Sequence, residues 1–248
     1  MANIALIIAG GSGSRMHQDI PKQFLTVNER PIVIYTLEIF EKHPEIDSIA
    51  AVCLKGWENV LQAYAKQFSI NKLKYIISGG ATGHESIRNG VFELEKHFSP
   101  DDIVVIHAAN RPLVEDWVIS ECIHTASEKG CAVTSLPCIE VMLGTDDGIT
   151  AAKEYSRSNL RRTQTPQAFR IKDICALHRQ AIKLGIKDSP TSCTLMLELG
   201  GHVYFSSGSE KNIKITTVED IDIFRALLAA GRSEMLKNYP DEKITPPA

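Results

Sequence analysis

Near its start the chain passes from an apolar run, residues 4–8, into Ala9-Gly10-Gly11-Ser12-Gly13-Ser14-Arg15-Met16. Glycines at such a point let the backbone turn sharply and bring N–H groups against phosphate oxygens. The spacing is not that of a P-loop, and Met16 stands where a dinucleotide fingerprint needs its third glycine. What distinguishes this loop is charge. Arg15 lies on it, and Lys22 follows in Pro21-Lys22-Gln23, so two cations flank the phosphate cradle. An anionic phosphoryl-transfer transition state needs fixed cations of this kind. No other spacing competes. The six cysteines form no C-x-x-C pair and the eight histidines no H-E-x-x-H, which counts against a zinc site. No Ser-His-Asp arrangement stands out either.

The elements that must hold this loop are legible as a rhythm. Short apolar runs at 4–8, 46–54, 73–77, 102–107 and 131–136 predict strands. Segments with helical spacing at 31–43, 57–68, 85–97 and 114–129 separate them. Fully apolar strands alternating with helices predict an α/β, Rossmann-like, mostly parallel sheet covered on both faces. Ligands of such sheets bind beyond the carboxyl ends of the strands. The residues that follow the first, third and fourth runs are therefore the ones to read for chemistry. The rhythm breaks at 137–162, where polar residues and Asp146-Asp147-Gly148 predict a projecting β-arm. Helices are expected again at 172–184 and 192–199, then strands at 202–206 and 212–216. A last helix begins at Thr217, with Thr217/Asp220 or Thr216/Glu219 as a capping box. Residues 1–231 read as one domain and 232–248 as a polar tail.

Composition narrows the class. The chain has 248 residues and a net charge of −3, and that balance gives no prior for nucleic acid or an anionic membrane. No apolar run approaches the roughly 20 residues of a membrane span. The N-terminal run lacks a basic flank and reads as a buried strand. Four of the cysteines sit in apolar runs, as reduced thiols of a cytoplasmic protein do.

Taken together, G-G-x-G-x-R-M and P-K-Q-F-L resemble the sugar-nucleotidyltransferase-like superfamily. Within it, the sequence is similar to the cytidylyltransferases of 2-C-methyl-D-erythritol 4-phosphate and ribitol 5-phosphate. Later motifs extend the resemblance over about residues 3–230: Gly79-Gly80 with Ser86, His107 to Pro112, Arg157, Thr165-Pro166-Gln167, and Asn212 to Asp220. The resemblance implies a reaction of CTP with a polyol phosphate to give a CDP-polyol and pyrophosphate, usually with Mg²⁺. It implies that Ala9, Gly10, Gly11 and Gly13 hold the triphosphate and ribose. Arg15, Lys22 and Lys214 would grip the α-phosphate, Gly80 and Ser86 would read the cytosine, and Ala109 would meet the ribose. Arg157, on the arm, and Thr165 would bind the acceptor's phosphate. Relatives lay that arm over a second subunit, so a homodimer is implied.

Four positions depart from the family pattern. Ala108 replaces an aspartate that helps hold the metal in relatives, so the metal ligand is unknown from sequence. Gly83 stands in place of an arginine, Val141 in place of a phosphate-binding threonine of the methylerythritol enzymes, and Pro190-Thr191-Ser192-Cys193 where relatives usually have Thr-Asp. The acceptor stays open between the two polyols. An alternative is a non-catalytic homologue that binds CTP or a CDP-polyol. His107, at a strand end, reads as a packed or backbone-bonded imidazole. Arg161 and Arg162 beside Arg157 read either as phosphate ligands or as partners of acids across a dimer.

Overall fold

The computed structural model describes residues 1–11 and 20–230. The chain runs β1 (Asn3–Ala9), a 3-10 turn (Lys22–Phe24), β2 (Thr26–Val27), β3 (Arg30–Pro31), α1 (Ile32–Lys42), β4 (Ser48–Cys53) and α2 (Glu58–Gln67). It continues through β5 (Leu73–Ser78), α3 (Gly83–Leu94), β6 (Ile103–Ala108), α4 (Asp116–Lys129) and β7 (Cys131–Pro137). Then come β8 (Met142–Gly144), β9 (Lys153–Tyr155), a 3-10 turn (Arg157–Asn159), β10 (Arg161–Arg170) and α5 (Ile171–Leu184). α6 (Ser192–Glu198), β11 (Phe205–Ser207) and α7 (Val218–Ala230) complete the described part.

Seven strands form one sheet in the order β11-β7-β10-β6-β1-β4-β5. All its pairings are parallel except those of β10, which runs antiparallel to both β6 and β7. Side chains alternate faces along each strand, and the apolar runs divide accordingly. Ala5, Ile7 and Ala9 of β1 join one core with α1, α2 and α4. Ile4 and Leu6 join the other, with α3, α5 and α6. Runs apolar at every position are thus what a sheet covered on both faces requires. A third, smaller core packs α7, through Phe224, on Val27, Ile32 and Ile215.

One contact in the second core matters for the site. A Cβ at Gly90 of α3 would lie 2.8 Å from Leu6 Cδ2 and from Val52 Cγ2. The missing side chain lets α3 lie close on β1 and β4, and this sets its first turn over their carboxyl ends.

Two expectations are corrected. Residues 212–216 form no strand. Ile213 and Ile215 alternate with polar neighbours as in a strand, but Ile215 is drawn into the third core and its N–H donates to Asn110 O at 2.8 Å. β10 has no counterpart in the expected strands. Pro166 interrupts its donor pattern, and its register with β7 shifts between Thr163 and Gln167. The arm is present, as the separate two-stranded pairing of β8 with β9. The capping box at α7 is the Thr217/Asp220 one: Asp220 Oδ2 accepts from Thr217 N at 2.8 Å, and Asp220 N donates to Thr217 Oγ1 at 3.4 Å. The expected tail, 232–248, lies outside the described residues.

Candidate active site

The carboxyl ends of β5, β4, β1 and β6 line up as Ser78, Cys53, Ala9 and Ala108, and the loops that leave them build the site. Ala9, Gly10 and Gly11 leave β1. Gly13 and Arg15, with the rest of residues 12–19, lie outside the described residues. The departing loop is fixed by Gln23. This buried amide donates to Ala9 O at 2.7 Å and to Gly11 O at 3.0 Å. Gln23 shares its 3-10 turn with Lys22, so the clip that shapes the glycine loop also places the lysine beside it. Phe24, the third residue of the turn, stacks on Trp57 with ring centroids 4.7 Å apart. Burial against the turn accounts for Trp57. In the sequence the signal for Gln23 is its place beside a loop cation within the Pro21-Lys22-Gln23 motif.

A second wall comes from the first turn of α3. Thr82 caps the helix by accepting from Glu85 N. Ser86 Oγ donates to Thr82 O at 2.9 Å and accepts from Gly80 N at 3.1 Å. A Cβ at Gly10 would come within 2.9 Å of Ser86 Oγ, and one at Gly80 within 2.3 Å of Glu85 Cβ. The two glycine segments and Ser86 therefore meet with no room for side chains, as a surface that presents backbone to a ligand requires. Gly83 has open space where a Cβ would stand.

The third wall is a hydrogen-bonded unit around β6. His107 is fully buried, and burial pushes its imidazole down to about 3, so it is neutral. Its Nε2 lies 3.1 Å from Arg111 O, which can only accept, so Nε2 carries the proton. Nδ1 then accepts from the Thr165 hydroxyl at 3.1 Å, and Thr165 Oγ1 accepts in turn from Ala108 N at 3.2 Å. Ala109 is buried: its N donates to Ile8 O at 3.0 Å and its O accepts from Thr36 Oγ1 at 2.7 Å. Asn110 Nδ2 donates to Ile215 O, and Arg111 Nη1 to Asn212 O. Buried Asn212 donates from Nδ2 to Thr165 O at 2.8 Å and to Gln164 Oε1 at 3.1 Å. The segment that carries Lys214 is thus sewn to β6 and β10 from both sides. His107 is the backbone-bonded imidazole expected of it.

The arm stands apart from these walls. Arg157 Nη1 donates to Ile139 O at 3.2 Å, within the arm. Arg161 lines a cavity at the root of the arm together with Arg157, and Arg162 is directed away from it. Adjacent residues on a strand point to opposite faces; Arg161 donates to Ser135 Oγ and lies over the Phe205 ring, while Arg162 pairs with Glu210. Ile139, Val141, Met142, Leu143 and Ile149 are exposed on the arm, Ile149 by 90%.

The family's metal finds no carboxylate at the end of β6. Ala108 offers a methyl group, which cannot ligate Mg²⁺. Among the described residues no three His, Cys, Asp or Glu side chains are grouped so as to hold a metal ion. The residues present do not fit a protein-held ion at this position. Among the described residues, no helix is long and apolar enough to cross a membrane.

The ribitol-5-phosphate cytidylyltransferase of Lacticaseibacillus paracasei is 45% identical over 226 residues, covering 90% of this chain and 97% of that one. The 2-C-methyl-D-erythritol 4-phosphate cytidylyltransferase of Clostridium tetani is 38% identical over 223 residues, covering 88% and 87%. Among solved structures, the 4-diphosphocytidyl-2C-methyl-D-erythritol synthase of Anaerococcus prevotii matches with a TM-score of 0.77 at 25% identity, covering 92% of this chain and 96% of that one. The family model described as IspD, 2-C-methyl-D-erythritol 4-phosphate cytidylyltransferase, matches residues 3–230. That match runs from the first strand to the last helix, takes in every wall of the site, and means that the chain belongs to the IspD family of cytidylyltransferases, a family of nucleotidyltransferases.

Proposed function

We propose that this chain transfers the cytidylyl group of CTP to ribitol 5-phosphate, giving CDP-ribitol and pyrophosphate. The observation that carries the choice of acceptor is the higher identity to the ribitol-5-phosphate relative, 45% against 38% for the methylerythritol-phosphate one. Val141 on the arm supports it, since the methylerythritol enzymes carry a phosphate-binding threonine there. A phosphate oxygen of the acceptor attacks the α-phosphorus in line and pyrophosphate leaves. The acceptor monoester is already anionic near neutral pH, so the reaction needs positioning and charge neutralisation more than a strong base. In this reading Ala9, Gly10, Gly11 and Gly13 present backbone to the triphosphate, and Gly80 and Ser86 face the cytosine. Ala109 O faces the ribose. Arg15, Lys22 and Lys214 neutralise the α-phosphate.

Arg157 binds the acceptor's phosphate. Its place on an arm with an apolar surface supports a homodimer in which the arm serves the partner's site. Thr165, expected at the same phosphate, directs its hydroxyl proton to His107, and we assign it the support of the β6 end instead. The product fits the making of a ribitol-containing surface polymer from cytoplasmic precursors. All six cysteines are buried free thiols, in keeping with that compartment.

The test is pyrophosphate release from CTP with Mg²⁺ or Mn²⁺ against a panel of polyol and sugar phosphates. Release with ribitol 5-phosphate in preference to the others is expected. Preference for 2-C-methyl-D-erythritol 4-phosphate would overturn the acceptor, and CTP binding without release would return the binding-only alternative.

A further inference from the structure

Arg157 and Arg161 line one cavity of about 440 Å³ at the root of the arm, with Ile139 and Leu160 among its apolar walls. The fold presents the two side chains from different elements. Arg157 opens the second 3-10 turn, and its Nη1 donates to Ile139 O at 3.2 Å. Arg161 is the first residue of β10, in register with Pro137 of β7. Its Nε donates to Ser135 Oγ at 3.2 Å, and its guanidinium lies 5.4 Å from the centre of the Phe205 ring. Leu160 N donates to Arg157 O at 3.2 Å, closing the turn that joins the two arginines. A guanidinium carries five donors in a planar fork, and among the described residues each of these is oriented through one of them. Arg157 also borders a second cavity, on the side of Val141 and Glu154. The two sides differ in charge. Val141 brings no donor, and the Glu154 carboxylate repels an anion. The side of Arg161 adds a second fixed cation, and no carboxylate stands among its described lining residues.

A phosphate monoester carries close to two negative charges at neutral pH and three acceptor oxygens. Forked guanidinium groups match such an anion with paired, charge-assisted hydrogen bonds, and an ammonium does not reproduce that geometry. We propose that Arg161 is a second ligand of the acceptor's phosphate and forms with Arg157 a two-arginine clamp at the root of the arm. The proposal rests on the reading of this chain as a polyol-phosphate cytidylyltransferase, and it adds the side of Arg157 on which the phosphate sits. The clamp recognises the phosphate end of the acceptor and not its hydroxyl chain. Arg162 takes no part, since it is paired with Glu210 on the other face of the strand.

The test uses the full chain and pyrophosphate release. Arg161→Gln should lower kcat/KM for ribitol 5-phosphate by about tenfold or more, the worth of a charge-assisted hydrogen bond, with the KM for CTP within about twofold of wild type. Arg161→Lys keeps the charge and loses the fork, so it should recover only part of the loss. Arg162→Gln should behave as wild type. A second readout needs no turnover: binding of inorganic phosphate, followed by ³¹P NMR with CTP present and no acceptor, should weaken in Arg161→Gln and not in Arg162→Gln. An Arg161→Gln protein with unchanged kcat/KM for the acceptor and unchanged phosphate binding would overturn the proposal. So would equal losses toward CTP and acceptor, which are what a merely structural role predicts. Dissociation of Arg161→Gln in sedimentation, with acceptor kinetics unchanged, would also overturn it and give Arg161 to the acids of a second copy. Wild-type preference for another phosphorylated acceptor would overturn the acceptor named above and not the clamp, whose loss would then appear against that acceptor.

Discussion

Asn212 offers the sharpest test of how the site is assembled. Its Nδ2 donates to Thr165 O and Gln164 Oε1, while its Oδ1 is buried with no hydrogen-bond partner among the described residues. The amide is therefore held by its donors alone. Asn212→Ala removes both donations and leaves a buried carbonyl short of a partner. Gln164 Oε1 keeps its bond from Ser209 N, so one buried group is left unsatisfied and the loss should be about 1–3 kcal/mol. Asn212→Asp keeps the shape and reverses the chemistry, setting an acceptor about where Nδ2 lay, near Thr165 O. The carboxylate must repel that oxygen or be protonated at a cost, so this variant should be less stable than the alanine one. Urea unfolding with an unchanged m-value would measure both. Because the same segment carries Lys214, kcat should fall in both variants at temperatures where they remain folded. A loss below about 1 kcal/mol for Asn212→Ala, or an aspartate variant more stable than the alanine one, would refute the argument that these donor bonds hold the segment.

Three further outcomes are expected. Lys22→Ala should lower turnover by a factor of about 10², the cost of one preorganised transition-state donor, read by pyrophosphate release. Gln23→Ala should free the glycine loop and raise the KM for CTP, while a Gln23→Glu variant, which cannot donate to the Ala9 and Gly11 carbonyls, should not rescue it. Acid should destabilise the fold before its carboxylates titrate. His107 and His178 are pushed down to about 3 by burial, from an ordinary value of 6.5. The unfolded chain then binds protons that the folded chain refuses. Stability is full above pH 6.5 and falls as pH drops toward 3, by up to about 1.4 kcal/mol per pH unit for each histidine. Denaturant midpoints at pH 7 and 5 would show it, and His178→Leu should remove about half the slope.

How far the sequence was readable follows from what each element answers to. β1, β4 and β6 are apolar at nearly every position because both their faces are covered, and that pattern is local. The glycine loop and Ser86 were legible because backbone exposure and a hydroxyl leave residue-type signatures. β10 was not, since Thr163, Gln164 and Pro166 carry no strand pattern; its place between β6 and β7 depends on pairings with segments far away in the chain. Residues 212–216 misled for the opposite reason. Their alternation is that of a strand, yet Ile215 enters a core made with Phe224 and the backbone bonds to a turn, Asn110, instead of a ladder. Gln23, Asn212 and Thr165 work through bonds to main-chain groups, and a sequence does not say which carbonyl an amide will meet.

β7 and β10 are paired neighbours, and Pro137 lies opposite Arg161 in their register. Everything between them is therefore an excursion that leaves the sheet and returns to almost the same place. Such an insertion can lengthen, shorten or change its residues at little cost to the pairing that closes it. Arg157, which we propose as the acceptor's phosphate ligand, sits on that excursion, while the walls proposed for the nucleotide stand at the carboxyl ends of the sheet's strands. On that proposal the fold would separate the two substrates in evolutionary terms: acceptor choice would drift on the arm while the nucleotide site stayed still.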